Sequence, residues 1–256
     1  MLKKRIIFTL LHQGTNFFLS RNFRLQKIGN LKWLEANYNF SLMVKSVDEI
    51  ILLDVSRNKQ NLDKFCSVIK SLTKNCFIPI SVGGKIDHLD KAKKYIDSGA
   101  DKLVMNSKLF SDEKLIHAVA QTFGEQCIVG SVDFKKHLDQ IKVLILNGSQ
   151  DIDINPSNLF KKLSNLPIGE VLLNSIDKDG TGNGFDTEIL KFLPSNFQKP
   201  IIFSGGAGNY KHLLSALKNK KIDAVATANL LNFVGNGLQE ARQMILRKGY
   251  SLSEWI

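Results

Sequence analysis

The sequence predicts an α/β protein, a (β/α)8 (TIM) barrel built from two similar half-barrels, and three observations carry that prediction. One phrase occurs twice, eight short apolar runs alternate with segments of helical spacing, and the runs are apolar on both faces, as buried parallel strands are. An open doubly wound sheet is the alternative architecture for the same alternation.

The repeated phrase is Pro79-Ile80-Ser81-Val82-Gly83-Gly84-Lys85-Ile86, echoed by Pro200-Ile201-Ile202-Phe203-Ser204-Gly205-Gly206-Ala207-Gly208. Each copy reads as strand, tight turn and helix start. In both copies a Glu, Glu49 or Glu170, precedes the Pro by 30 residues, and an Asp, Asp101 or Asp223, follows it by 22 or 23. A period of about 121 residues in a chain of 256 means a duplicated unit. The chain is therefore expected to be one barrel domain over 1–256, with halves at about 1–123 and 124–256.

Strands are predicted at 5–10, 49–54, 77–82, 102–105, 127–133, 170–175, 200–204 and 224–227. Between most of them lie helical patterns, such as Leu62, Phe65, Val68, Ile69 and Leu72, or Leu89, Ala92, Tyr95 and Ile96. Two segments break the alternation. The stretch from Thr9 to Gly29 is too long for a strand-to-helix turn and, placed after the first strand, suits a lid over the barrel mouth. From Lys135 to Asp153 a small hairpin is predicted after the fifth strand, followed by a helix with Pro156 in its first turn.

Composition narrows the function classes. At 43% hydrophobic the chain can bury a full core. The start Lys3-Lys4-Arg5 with its apolar run lacks a small-residue cleavage site and reads as a first strand. No apolar stretch approaches the roughly 18 residues of a membrane span. Cys66, Cys76 and Cys127 are odd in number and in no redox or metal spacing, so a reduced, cytoplasmic protein is expected. His12, His88, His117, His137 and His212 show no ligand spacing, so no metal and no cofactor is assigned. The net charge of +11 is scattered over several predicted helices without an aromatic-interleaved run. That excludes nucleic acid as the expected partner and favours an anionic small molecule.

A barrel's active site lies at the carboxyl ends of its strands. There, Gly83-Gly84 and Gly205-Gly206 let backbone amides approach an anion, beside Asn106-Ser107 in one half and Ala228-Asn229 in the other. Two phosphate sites across one mouth are the reading, against glycines that merely make turns. Three carboxylates face the same mouth: Asp54, Asp133 and the Asp177-Lys178-Asp179-Gly180-Thr181 turn. Each can serve as general acid or base, or as a helix N-cap, and Asp133 is the foremost candidate for catalysis. At the opposite rim Arg5, Glu49, Lys102 and Glu170 open four of the strands, two positives and two negatives that can pair as a plug.

These residues together resemble the cyclase subunit of imidazole glycerol phosphate synthase, the HisF family of histidine biosynthesis. The similarity runs from Leu2 to Ile7, through Glu49 to Asp54, Phe77 to Gly84, Gly99-Ala100-Asp101-Lys102 and Phe123 to Asp133, to Asp177 to Thr181 and Ser204 to Asn209. The resemblance implies a heterodimer with a glutaminase docked at the barrel floor. It also implies ammonia passing through the barrel, and a bis-phosphorylated ribonucleotide cyclized to imidazole glycerol phosphate with release of an aminoimidazole carboxamide ribotide. It places catalysis on Asp133 and substrate or phosphate contacts on Asp54, Gly84, Asn106, Ser107, Asp179, Gly180, Thr181, Gly205, Gly206, Ala228 and Asn229. The charged rim of Arg5, Glu49, Lys102 and Glu170 becomes an ammonia gate.

The departures point elsewhere. Leu11 stands where the family's other catalytic aspartate ends the first strand, Leu19 where its lid-loop lysine is expected, and Lys85 replaces the third glycine of the first glycine turn. Leucine exchanges no proton, so the resemblance shifts to a paralogous branch that keeps the conduit and the glutaminase but serves another acceptor, such as a sugar amidotransferase forming an acetamidino group. The alternatives are a working cyclase using Asp133, or a phosphate-binding isomerase on the same barrel. The glutaminase is expected on a separate chain, because no Cys sits in a nucleophile-elbow context.

Overall fold

The computed structural model describes residues 3–38, 45–58, 60–138, 140–229 and 236–253, so Leu2 of the resemblance lies outside the described residues. The order is β1 (Arg5–Gln13), β2 (Asn16–Arg21), β3 (Arg24–Asn30), α1 (Leu31–Asn37), β4 (Glu49–Asp54), α2 (Leu62–Asn75), β5 (Ile80–Gly83), α3 (Leu89–Asp97) and β6 (Lys102–Met105). It continues with α4 (Lys108–Ser111), α5 (Glu113–Phe123), β7 (Ile128–His137), β8 (Gln140–Ile145), β9 (Gln150–Ile152), α6 (Pro156–Asn165), β10 (Glu170–Ser175), β11 (Ile201–Ser204), α7 (Tyr210–Leu217), β12 (Ala224–Thr227) and α8 (Gly237–Arg247).

Eight of these strands pair in parallel in the order β10-β11-β12-β1-β4-β5-β6-β7, and β7 pairs back onto β10 to close the ring. Closure leaves the eight-stranded ring without a free edge and settles the architecture against an open sheet. Each predicted strand overlaps one of these eight, with shifts at the ends. β5 begins at Ile80, because Ile80 N–H is taken by Asp101 and Phe77 is 83% exposed. The same bond recurs in the other copy, where Ile201 N–H donates to Asp223.

The helices pack outside the ring over an apolar layer that includes Phe65, Ile69, Tyr95, Leu159 and Leu213. Local chemistry starts them: the side chain of Asn61 accepts from Lys64 N–H at α2, and Asn155 caps α6 with Pro156 in its first turn. After β10 the chain makes only a 3₁₀ turn, Glu188–Phe192, where glycines at 180, 182 and 184 precede Pro194. Inside the ring a separate, smaller core contains Ile7, Ile51, Val104, Val129, Leu172 and Ile202.

Both irregular segments are antiparallel hairpins grown from barrel strands. β1 runs on past Leu10 to Gln13 and pairs with β2, which pairs with β3, so the predicted lid is a regular ribbon. β7 likewise extends beyond Asp133 and pairs with β8, which pairs with β9. Among the described residues no helix is long and apolar enough to cross a membrane.

Candidate functional site

Side chains alternate along a strand, so Arg5, Ile7, Thr9 and Leu11 share the face of β1 that looks into the barrel. The same parity puts Lys102, Val104 and Asn106 inside from β6, and Glu170, Leu172 and Asn174 inside from β10. The interior is thus a charged floor, an apolar middle and a polar mouth.

The floor is a closed ring. Arg5 reaches Glu49 at 3.1 Å and Glu170 at 2.5 Å, and Lys102 reaches the same two carboxylates at 3.0 and 2.7 Å. The Ser81 hydroxyl donates to the remaining oxygen of Glu49. Burial works against the charge of Arg5 and Lys102, yet the two carboxylates outweigh it and hold both above their usual range. For Glu170 burial pushes up, and Arg5 and Lys102 more than offset it, leaving the carboxyl below its ordinary value.

At the mouth, a cavity of about 450 Å³ brings together Leu11, Asp54, Gly84, Asn106, Ser107, Asp133, Asp179 and Ala228. Asp133 caps no helix; half-buried, it lines the cavity. Its Oδ2 accepts from Asn106 Nδ2 and its Oδ1 from Asn174 Nδ2, both at 3.0 Å. Burial pushes its pKa up to about 6, helped by the charge of Asp179 and opposed by the two amide donors. Asp54 accepts from Ser56 N–H at 2.8 Å, a turn of its own and not a helix cap. Leu11, 8% exposed, presents only methyl groups to the space Asp133 faces.

Beside it a cavity of about 790 Å³ is walled by Asp179, Gly180, Gly205, Gly206, Ala228 and Asn229. Its other wall is the β2–β3 hairpin, including Leu19, Arg21 and Arg24. The hairpin is pinned there. Ser20 Oγ donates to Asp179 Oδ2 at 2.5 Å, Phe23 N–H donates to the same oxygen at 3.1 Å, and Asn22 N–H donates to the Asp179 carbonyl at 3.0 Å. Burial raises the Asp179 carboxyl against the Ser20 and Phe23 donors. Gly206, at φ +108°, lies against Gly184, whose carbonyl oxygen would sit 2.1 Å from an added Cβ. Thr181 lines neither cavity; its hydroxyl donates to Lys178 O at 2.8 Å.

With this geometry in place, the relationship to known proteins is direct. The family model "Histidine biosynthesis protein" matches residues 36–235. The chain belongs to that family. It is 42% identical over 256 residues, all of this chain and 95% of the relative, to a protein of Parasynechococcus marenigrum provisionally named imidazole glycerol phosphate synthase subunit hisF2. It is 32% identical to the imidazole glycerol phosphate synthase subunit HisF of Clostridium botulinum, over 98% of this chain and 99% of that one. For the HisF subunit of Methanococcus maripaludis the figures are 33%, 91% and 92%.

Within this histidine biosynthesis barrel, sequence reasoning missed Asn174, Ser20, Arg21 and Arg24. Asn174 carried no signal, because its pairing with Asp133 is set only when β7 and β10 meet in register. The hairpin residues carried none either, because their roles depend on where the ribbon lies.

Proposed function

We propose that this chain is the HisF-like barrel subunit of a two-chain ammonia-transferring system in the cytoplasm. A separate HisH-like glutaminase docks at the floor, and ammonia enters past Arg5, Glu49, Lys102 and Glu170. It emerges at a mouth where a phosphorylated ligand is held near the glycine turns. The carrying observation is the contrast between the two ends of the barrel: the floor ring is complete, whereas the mouth keeps Asp133 and has Leu11 in place of a second carboxylate.

The family reaction, ammonia-dependent cyclization of a bis-phosphorylated ribonucleotide, requires protons to be moved on both sides of the forming ring. Asp133, half-buried and partly protonated near pH 6, can give or take one of them. Leu11 can do neither. The ammonia is therefore passed to another acceptor, such as a sugar amidotransferase that forms an acetamidino group, and that enzyme is the second partner.

A second reading is favoured by one observation, the shared position of Asp133 and Asp179 on one cavity with both carboxyls raised by burial. In that reading Asp133 and Asp179 divide the two proton transfers and the chain is a working cyclase. Ammonium-supported turnover of the bis-phosphorylated histidine-pathway intermediate by the pure chain decides between them. Turnover at a rate typical of the family sinks the first reading; its absence, in a folded chain that still activates a glutaminase, sinks the second.

A further inference from the structure

We infer that the mouth takes a ligand with a single phosphate-bearing end, held by Arg21 and Arg24 over the Gly205-Gly206 turn, with an uncharged remainder toward Leu11. The inference rests on the reading that the mouth holds a phosphorylated ligand, and it narrows which ligand.

Arg21 and Arg24 are cross-strand partners at the tip of the β2–β3 hairpin, and both line the larger cavity. Like charges directly opposite on neighbouring strands repel. Neither makes an ion pair or side-chain hydrogen bond among the described residues, whereas Arg5, Arg57 and Arg242 are all engaged. The tip cannot simply swing away: Asn22 Nδ2 donates to the carbonyls of Ile176 and Asp177, both at 3.0 Å. Asp179 is the acid on that cavity, and its Oδ2 is already occupied by Ser20 and Phe23. Two unpaired arginines carried on a pinned hairpin tip, around one engaged carboxylate, form an anion site, and guanidinium is the group best matched to phosphate oxygens.

The opposite rim lacks an equivalent. Lys85 directs its ammonium to the carbonyls of Asn58 and Arg57, Arg57 donates to Phe23 O at 2.8 Å, and Lys108 pairs with Asp112 at 3.3 Å. The Ser107 hydroxyl accepts Leu146 N–H at 3.3 Å from the turn that follows β8. Lys85 stands in the repeat where Gly206 stands in the other copy and keeps a left-handed φ of +51°, so a side chain sits where the second turn is bare backbone. Between the rims the smaller cavity sets Leu11, Leu53 and Leu172 beside the carboxylates Asp54, Asp133 and Asp179, a lining that admits an uncharged, hydroxylated group and repels a second anion.

The test is calorimetric titration of the full chain with ribose 5-phosphate and with ribulose 1,5-bisphosphate, as one- and two-phosphate probes. One site per chain is expected, with the second phosphate changing affinity by less than about 3-fold. Arg21→Ala combined with Arg24→Ala, both exposed positions, should weaken binding by about 10-fold or more, and Lys108→Ala by less than about 2-fold. A bisphosphate bound about 30-fold or more tighter, no effect of the arginine pair, or no binding of either probe overturns the inference. Melting curves of the variants confirm that the folded chain is what is titrated. Failure to pair with a glutaminase would remove the proposed partner and leave this binding pattern untouched, so the two ideas fail separately.

Discussion

Asn174 donates its side-chain amide to Oδ1 of Asp133 at 3.0 Å, across the β7–β10 seam that closes the barrel. With Asn106 on the other oxygen, the carboxylate is oriented from both sides while burial raises its pKa to about 6. The folded state therefore binds this proton more tightly than the unfolded chain, whose Asp titrates near 3.8. Stability from this group is present at low pH and lost as pH rises between about 4 and 6. Asp133→Asn should remove that slope; its new NH2 group meets one of the two donor amides, which must turn its oxygen inward, so the gain at pH 7 is below about 3 kcal/mol. Urea denaturation at four pH values from 4 to about 7 measures it, and an unchanged slope in the variant would contradict the assignment.

Leu11→Asp restores a second carboxylate to the mouth, and the expectation is that it does not restore cyclization. A buried carboxylate replacing leucine beside Asp133 should cost about 2–4 kcal/mol of stability. If the ligand carries one phosphate, the added acid has no bis-phosphorylated substrate to act on. Ammonium-supported turnover rising by about 10²-fold, the typical worth of a general acid or base, would show a mouth otherwise intact for the family reaction.

Glu170 holds both cations of the floor ring. Glu170→Ala leaves Arg5 and Lys102 to share Glu49 and should destabilise by about 3 kcal/mol. In the folded fraction, stimulation of the glutaminase by mouth ligands should fall further than stability does. Because the Glu170 carboxyl is held below its usual 4.5, its contribution is complete above that pH and disappears on acidification through the lower folded value. Glu170→Gln should flatten this acid limb. A collapsed melting temperature with normal coupling in the surviving folded protein would make the ring a plug only.

Ser20→Ala removes one of the two donors to Asp179 Oδ2. The hairpin should loosen by about 1 kcal/mol, read as faster amide hydrogen exchange at residues 16–30 with the barrel amides unchanged. The Asp179 carboxyl, already raised by burial, should rise further. Equal exchange rates in variant and parent would mean that Asn22 and Phe23 hold the ribbon without Ser20.

The sequence by itself determined the barrel, its repeated glycine turns and the four charges at its floor. These follow from strand periodicity and from position relative to strand ends, both of which are local properties. Leu11 stands out only against the family that the chain resembles. Tertiary structure decided which groups answer which. Asn174 meets Asp133 from 41 residues away, and Ser20 meets Asp179 from 159. Lys85 and Arg24 are both exposed cations in the sequence, yet one is consumed by backbone carbonyls and the other faces a cavity without a partner. Hydrogen-bond partners across the mouth are set by the register in which the ring closes and by where a ribbon comes to rest, and neither is written in the spacing of residues along one strand.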